Sequence, residues 1–265
     1  MKTITITSGK GGVGKSIVSV NLGLALAQRS QKVLLFDADL SLANDDILLG
    51  LSCEHTLFDV LDGSKTLDEI LVTAPYGMKL LPASSGILKL ERLSPSHRLK
   101  MATNLRDLAS SFDLLLVDTG AGLTENVLFF TSTADEALLV TTPEPTAVTD
   151  TYAMIKVLAA SYDVGSIALL VNRVSNPQEG IDIHKKLSGV TEKFLGQKIA
   201  YLGHLPYDPA IEMAVQKREP LLTGSPHSPA GNAFVTLARH FDKVFTCEPR
   251  SVVTDLWDQL LSPES

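Results

Sequence analysis

The residues from 8 to 16 read SGKGGVGKS and carry the most specific chemistry in the sequence. Gly9 to Ser16 satisfy the phosphate-loop pattern G-x-x-x-x-G-K-[ST] between a strand-like run and a helix-like stretch, as the motif requires. Its glycines let backbone N–H groups close around phosphate oxygens. We expect Lys15 to reach the β- and γ-phosphates of a nucleotide and the Ser16 hydroxyl to ligate Mg²⁺. The predicted nucleotide-binding residues here are Gly9, Lys10, Gly11, Gly12, Val13, Gly14, Lys15, Ser16 and Ile17.

The loop contains two lysines, Lys10 and Lys15, where a phosphate loop usually needs one. Lys10 comes early in the loop, and its side chain is expected to point away from the pocket that Lys15 fills. A solvated surface lysine is the ordinary reading of such a position. The loop pattern alone therefore leaves the role of Lys10 open.

Acidic residues follow two further strand-like runs. Asp37 and Asp39 come after VLLF, and Asp118 ends the run LLLVD. Functional residues of open α/β sheets gather at the carboxyl ends of strands, so these acids are candidates. Asp37 and Asp39 could hold Mg²⁺, orient water or cap the next segment, whereas Asp118 is expected to hold a Mg²⁺-bound water. The Gly120–Gly122 turn can then swing toward a γ-phosphate.

Asn172 is a candidate for recognition of the nucleotide base. It ends the apolar run LLVN, and its amide can both donate to and accept from a purine edge. An Asn at a strand end is more commonly a cap or turn residue, so both readings stay open. The sequence lacks the guanine motif N-K-x-D, which favours ATP over GTP.

Composition excludes several classes of protein. The 265 residues are 45% hydrophobic and 20% charged, and the net charge of −7 argues against bare nucleic acid as the main partner. The two cysteines, Cys53 and Cys247, are far apart, which favours neither a disulfide nor a metal site and fits a reducing cytoplasm. The first strand begins at Lys2, so we expect no signal peptide. No run approaches the roughly 20 apolar residues of a membrane span.

Strand-like and helix-like segments alternate along the chain. This alternation predicts an α/β fold with a single doubly wound, mostly parallel sheet and helices on both faces, as in P-loop NTPases. We expect an ATPase domain at 1–250 and an amphipathic helix or tail at 251–265. The predicted strands are 3–7, 33–36, 78–82, 113–118, 136–141, 166–172 and 199–203. The predicted helices are 15–29, 97–110, 145–160, 178–194 and 230–245.

The phrase KGGVGKS resembles the deviant Walker A signature of the MinD/ParA family. This resemblance implies that Lys10 crosses a dimer interface to phosphates bound by the partner, so that a homodimer forms around two ATP molecules. It implies that Asp39 positions the attacking water and that Asp37 supports the metal site. The resulting catalytic residues are Lys10, Lys15 and Asp39. The resulting metal-site residues are Ser16, Asp37 and Asp118. The resulting base-pocket residues are Asn172, Pro206 and Asp208.

Longer segments resemble the FlhG/FleN branch of this family, which regulates flagellar number and placement. They include DADLSLANDDILLGL at 37–51 and PEPTAVTDTYAMIK at 143–156. The resemblance implies a slow, partner-stimulated ATPase whose partners are a flagellar transcription activator or an FlhF-type GTPase. Some members stimulate that GTPase through an N-terminal extension, whereas this sequence starts at the first strand. A DNA-segregation or cargo-positioning ATPase is the second reading, and a metabolic ligase the third.

The segment 251–261 has an apolar stripe but acidic charges, Asp255 and Asp258. Interfacial helices usually carry Lys or Arg on the polar face, since acidic residues repel anionic lipid. A peripheral membrane contact and a helix docked on its own domain are both open. We expect a cytoplasmic protein, with the inner membrane or the cell pole as the site of any such contact.

Overall fold

The structure is a computed structural model, and it describes residues 1–39, 43–82, 108, 111–161 and 164–248. Its strands are β1 (Lys2–Ser8), β2 (Val33–Ala38), β3 (Val72–Thr73), β4 (Lys79–Leu81), β5 (Leu114–Ala121), β6 (Glu136–Thr141), β7 (Ser166–Val174) and β8 (Ile199–Pro206). Its helices are α1 (Lys15–Ala27), α2 (Asp45–Leu49), α3 (Leu57–Leu61), α4 (Leu67–Ile70), α5 (Glu125–Thr133), α6 (Pro145–Ser161), α7 (Pro177–Leu195), α8 (Pro209–Lys217), α9 (Leu221–Gly224) and α10 (Pro229–Val244).

The described strands form one sheet in the order β3-β4-β2-β5-β1-β6-β7-β8. Neighbouring strands run parallel except β3 and β4, which are antiparallel. β1 lies inside the sheet between β5 and β6. The strands β2 to β5 lie on one side of β1, and β6 to β8 lie on the other side. In open α/β sheets a ligand crevice forms at the carboxyl ends of the strands where the order reverses. The loop after β1 therefore lies at the expected position for a ligand.

Helices cover both faces of the sheet. On one face, Leu22 of α1 and Phe234 of α10 belong to a buried cluster with Ile6 of β1. On the other face, Leu158 of α6 packs in a separate buried cluster with Leu169 of β7. Strands covered on both faces must be apolar at successive positions, which is why β2 and β6 are buried along their whole length. The doubly wound, mostly parallel fold is confirmed.

Each predicted strand is present, with differences at the ends. The strand expected to end at 118 continues to Ala121, because Ser8 pairs with Ala121 and accepts a hydrogen bond from the Gly122 N–H at 2.9 Å. The turn therefore starts later than predicted. Helix α5 was missed because its sequence, ENVLFFTST, is rich in residues that favour strands. The predicted helix 97–110 lies outside the described residues except for Leu108, which is buried.

No helix among the described residues is both long enough and apolar enough to cross a membrane. The predicted tail, 251–265, lies outside the described residues. Its membrane contact therefore stays a prediction.

Candidate functional site

The phosphate loop joins β1 to α1 at the carboxyl edge of the sheet. Gly12 and Gly14 have positive φ angles of 78° and 90°. The Val13 side chain between them is buried, and its carbonyl accepts a hydrogen bond from Asn172 Nδ2 at 2.7 Å. The loop borders a cavity of about 680 Å³. Its lining residues are Ser8, Gly11, Gly12, Gly14, Lys15, Ser16, Ile17, Asp39, Asn44, Ile47, Leu48, Gly120, Ala121, Thr124, Arg173 and Val215.

The glycines of the loop have two different structural roles: some allow close packing, and others line the cavity. A Cβ at Gly9 would lie 2.4 Å from the Asp150 carbonyl oxygen, so this glycine lets the loop pack against α6. A Cβ at Gly14 would lie 2.4 Å from Asn172 Nδ2, at a φ angle that disfavours L side chains. A Cβ at Gly11 would lie 3.9 Å from Ala121 Cβ and one at Gly12 would have nothing within 4 Å, and both glycines line the cavity. Gly11 and Gly12 are therefore the positions best placed for backbone contact with phosphate.

Lys15 lies at the start of α1 and is buried. Its Nζ donates to Asp118 Oδ1 at 2.9 Å, and the Ser19 hydroxyl donates to the same oxygen at 2.7 Å. Lys15 also lines the cavity, as its predicted role requires. To contact a phosphate, Lys15 can use the ammonium protons that Asp118 does not bind, or turn from this carboxylate altogether.

Asp37 is positioned by β2 and by the start of α2. The strand register places it directly beside Asp118 of β5. Its carboxylate accepts hydrogen bonds from the backbone N–H groups of Asp39, Asn44 and Asp45 at 2.9–3.2 Å. Burial, together with the smaller effect of the Asp118 charge, raises the pKa of Asp37 to about 7 against the lowering effect of these N–H groups.

Asp45, the first residue of α2, is a functional candidate that the sequence analysis missed. It is fully buried, and burial followed by the charges of Asp118 and Asp37 raises its pKa well above the usual range. One carboxylate oxygen from each of these three acids lies within 4.8 Å of the other two. Such oxygens are what Mg²⁺ prefers, so the donor set fits a divalent cation. The sequence did contain one signal of this burial. Asp45 lies four residues before the buried Leu49, so the two residues share one face of α2.

Asp39 lines the cavity wall, as a water-positioning residue must. A Cβ placed on Gly120 would lie 3.8 Å from Asp39 Oδ1, so β5 approaches this carboxylate closely. Asp39 and the phosphate loop thus border the same cavity. Its catalytic role stays a prediction.

Lys10 is held within its own chain. Its Nζ donates to Glu144 Oε2 at 2.7 Å, just before α6, and to Thr146 Oγ1 at 2.9 Å, in the first turn of α6. Lys10 does not belong to the described lining of the cavity. Lys10 is therefore a partly exposed lysine with an ion pair in its own chain, and its contact across a dimer interface stays a prediction.

Arg173 is a second residue that the sequence analysis missed. It lines the cavity with a φ angle of 59°, and its backbone N–H donates to Asn172 Oδ1 at 2.9 Å. The signal in the sequence that could have identified Arg173 is a basic residue directly after Asn172, near the end of β7. This position makes Arg173 a candidate for contact with an anionic ligand.

The predicted base-pocket residues lie apart from the described lining of this cavity. The Asn172 amide bonds to two backbone groups, and the Asp208 carboxylate accepts from the N–H groups of Ala210 and Ala230, both at 2.9 Å. Pro206 borders a separate cavity of about 600 Å³ between β8 and α10. The structure thus gives Asn172 and Asp208 structural contacts, and their roles in base recognition stay predictions.

Comparisons with known proteins agree with this geometry. Residues 1–165 match the AAA domain family. The chain is 42% identical to the antiactivator FleN of Pseudomonas aeruginosa over 91% of this chain and 86% of that protein. It is 35% identical to the flagellum site-determining protein YlxH of Helicobacter pylori over 85% of this chain and 76% of that protein.

A solved structure shows the same fold. The septum site-determining protein MinD of Pyrococcus horikoshii, complexed with Mg-ADP, superposes with a TM-score of 0.74 and 28% identity. The match covers 92% of this chain and 97% of that chain. Sequence, fold and loop geometry together place this chain in the MinD/ParA family of ATPases.

Proposed function

We propose that this protein binds ATP with Mg²⁺, hydrolyses it slowly and dimerises while the triphosphate is bound. The observation that carries the proposal is the cavity shared by the phosphate loop and Asp39. One wall supplies backbone N–H groups and Lys15, and the other supplies a carboxylate for the attacking water. The relative whose structure contains Mg-ADP supports this ligand.

Each side chain has a distinct task in this reaction. Lys15 leaves Asp118 and binds the β- and γ-phosphates, while the Ser16 hydroxyl holds Mg²⁺ with support from Asp37 and Asp118. Mg²⁺ bound there would neutralise phosphate charge. Asp39 orients the attacking water and accepts its proton. Lys10 supplies a further cation to the phosphates of the partner subunit once it leaves Glu144.

We assign the switch to the regulation of flagellar number and placement. The support is the similarity to FleN, an antiactivator, and to YlxH, which determines flagellum sites. The expected partners are a flagellar transcription activator, an FlhF-type GTPase, or both. The expected location is the cytoplasm, with peripheral contact at the inner membrane or cell pole through 251–261.

ATP turnover and mass, measured on the same samples by light scattering, test the biochemical proposal. Asp39→Ala should lower turnover at least about a hundredfold, the usual effect of losing a general base, and should leave a lasting dimer with ATP. Lys10→Ala should remain a monomer with ATP. Asp182→Ala, an exposed change on α7, should behave like wild type. A wild-type protein that stays monomeric with saturating ATP and Mg²⁺ would contradict the dimer.

A further inference from the structure

Three carboxylates from separate elements converge beneath the phosphate loop. Asp37 comes from β2, Asp45 from α2 and Asp118 from β5. Their exposed fractions are 3%, 0% and 1%, so all three are removed from solvent. One oxygen of each lies within 4.8 Å of the others.

The three acids differ in how the protein satisfies them. Asp118 pairs with Lys15 and Ser19, and Asp37 accepts from three backbone N–H groups. Neither oxygen of Asp45 has a hydrogen-bond partner among the described residues. A buried carboxylate without a partner is strongly unfavourable, so Asp45 either holds a proton or is balanced by a ligand that displaces that proton.

The charges of the cluster indicate what that ligand is. Among the described residues Lys15 is the only buried basic side chain, so its ammonium group can balance only one of the three acids. A metal ion binds carboxyl groups in their deprotonated form, so a cation here must supply the charge that balances the other two. A divalent cation supplies that charge. Oxygens on opposite sides of Mg²⁺ or a larger divalent ion are about 4–5 Å apart, which agrees with the spacing of these acids.

We propose that Asp37, Asp45 and Asp118 form a divalent-cation site that fills in the absence of nucleotide, with Asp45 as a direct ligand. This site needs neither Ser16 nor a phosphate. The bound cation would balance the charge of the Asp118 carboxylate when Lys15 turns from Asp118 to a phosphate. Cation binding would therefore favour ATP binding. The proposal does not rest on hydrolysis or dimerisation.

Mn²⁺ binding to nucleotide-free full-length protein, followed by electron paramagnetic resonance, tests the proposal. Wild type should bind one Mn²⁺ per chain, and Mg²⁺ should displace it. Asp45→Asn keeps the shape but removes the charge, and it should weaken binding at least about tenfold. The matched control is Asp46→Asn, which changes the neighbouring acid and should bind Mn²⁺ within about twofold of wild type.

Three results would overturn the proposal: no Mn²⁺ binding by wild type without nucleotide, equal binding by Asp45→Asn, or equal losses in Asp45→Asn and Asp46→Asn. Each of them would leave ATP binding by the loop intact.

Thermal unfolding supplies a readout that separates a ligand from a structural residue. Mg²⁺ without nucleotide should raise the melting temperature of wild type but not that of Asp45→Asn or Asp45→Leu. In chelator both variants should melt no lower than wild type, because they replace a buried acid whose two oxygens have no hydrogen-bond partner among the described residues. Lower melting in chelator together with an undiminished response to Mg²⁺ would show that Asp45 is only structural and would refute the site.

Discussion

Lys10 Nζ lies 2.7 Å from Glu144 Oε2, so the additional lysine of the loop is bound by an acid of its own chain. Glu144 is exposed, and Lys10 lowers its pKa by a hydrogen bond and by its charge. A lysine that must reach a partner subunit has to break this contact first. The ion pair therefore opposes the proposed dimer.

Glu144→Gln should increase the dimer population at a given ATP concentration. The effect should be about two- to fivefold, because an exposed ion pair contributes little. Light scattering during an ATP titration measures it, and Glu192→Gln on α7 is the control. If Glu144→Gln required more ATP than wild type to dimerise, the pair would be supporting the dimer instead.

Arg173→Gln should raise the KM for ATP about tenfold, because a charge-assisted hydrogen bond to an anion would be lost. Gln keeps most of the side-chain length. It also leaves the backbone strain at the positive φ angle of this position unchanged, so the substitution tests the charge alone. Initial rates over a range of ATP concentrations measure the effect. Arg29→Gln, at the far end of α1, is the control, and an unchanged KM in Arg173→Gln would exclude the contact.

Gly9→Ala should destabilise the fold by about 1–3 kcal/mol, because its Cβ would meet a backbone oxygen that no rotamer change can move. The added atom would lie 2.4 Å from the Asp150 carbonyl oxygen. Urea unfolding measures the loss. Gly189→Ala in α7 is a matched control with open space around it, and it should stabilise by about 0.5–1 kcal/mol. Equal effects at both positions would contradict the packing argument.

Asp208→Asn should destabilise the fold by about 1–2 kcal/mol near neutral pH, because the Asn amide has one acceptor oxygen and leaves one of the two backbone N–H groups unpaired. The carboxylate caps α8 and also binds the first turn of α10. Burial acts to raise its pKa, but the N–H groups of Ala230 and Ala210 and the Ser228 hydroxyl lower it overall.

Because the folded pKa is lowered, the contribution of Asp208 is present above the unfolded value of 3.8 and is lost as the pH falls through the folded value. Wild type and Asp208→Asn should therefore converge in acid. Urea titrations between neutral pH and about pH 3 test this, with Asp182→Asn as the control. A constant difference at all pH values would rule out the charge as the cause.

Local patterns were enough to predict the framework. The spacing of Gly9, Gly14 and Lys15 identifies a phosphate loop because its chemistry depends on consecutive residues. The alternation of apolar runs and helical periodicity predicted a parallel sheet because two covered faces demand apolar residues at every strand position. The candidate acids Asp37 and Asp118 follow from their places at the predicted strand ends, whereas their direct pairing is a finding of the structure.

Contacts between distant parts of the chain required the tertiary structure. Lys10 meets Glu144, which is 134 residues away, and Asn172 supports Val13, which is 159 residues away. The burial of Asp45 depends on how α2 packs, which no local pattern records. Composition and spacing determine which groups are available, whereas packing decides which of them lose water and which partners they find. The charge balance beneath the loop is therefore a property of the fold.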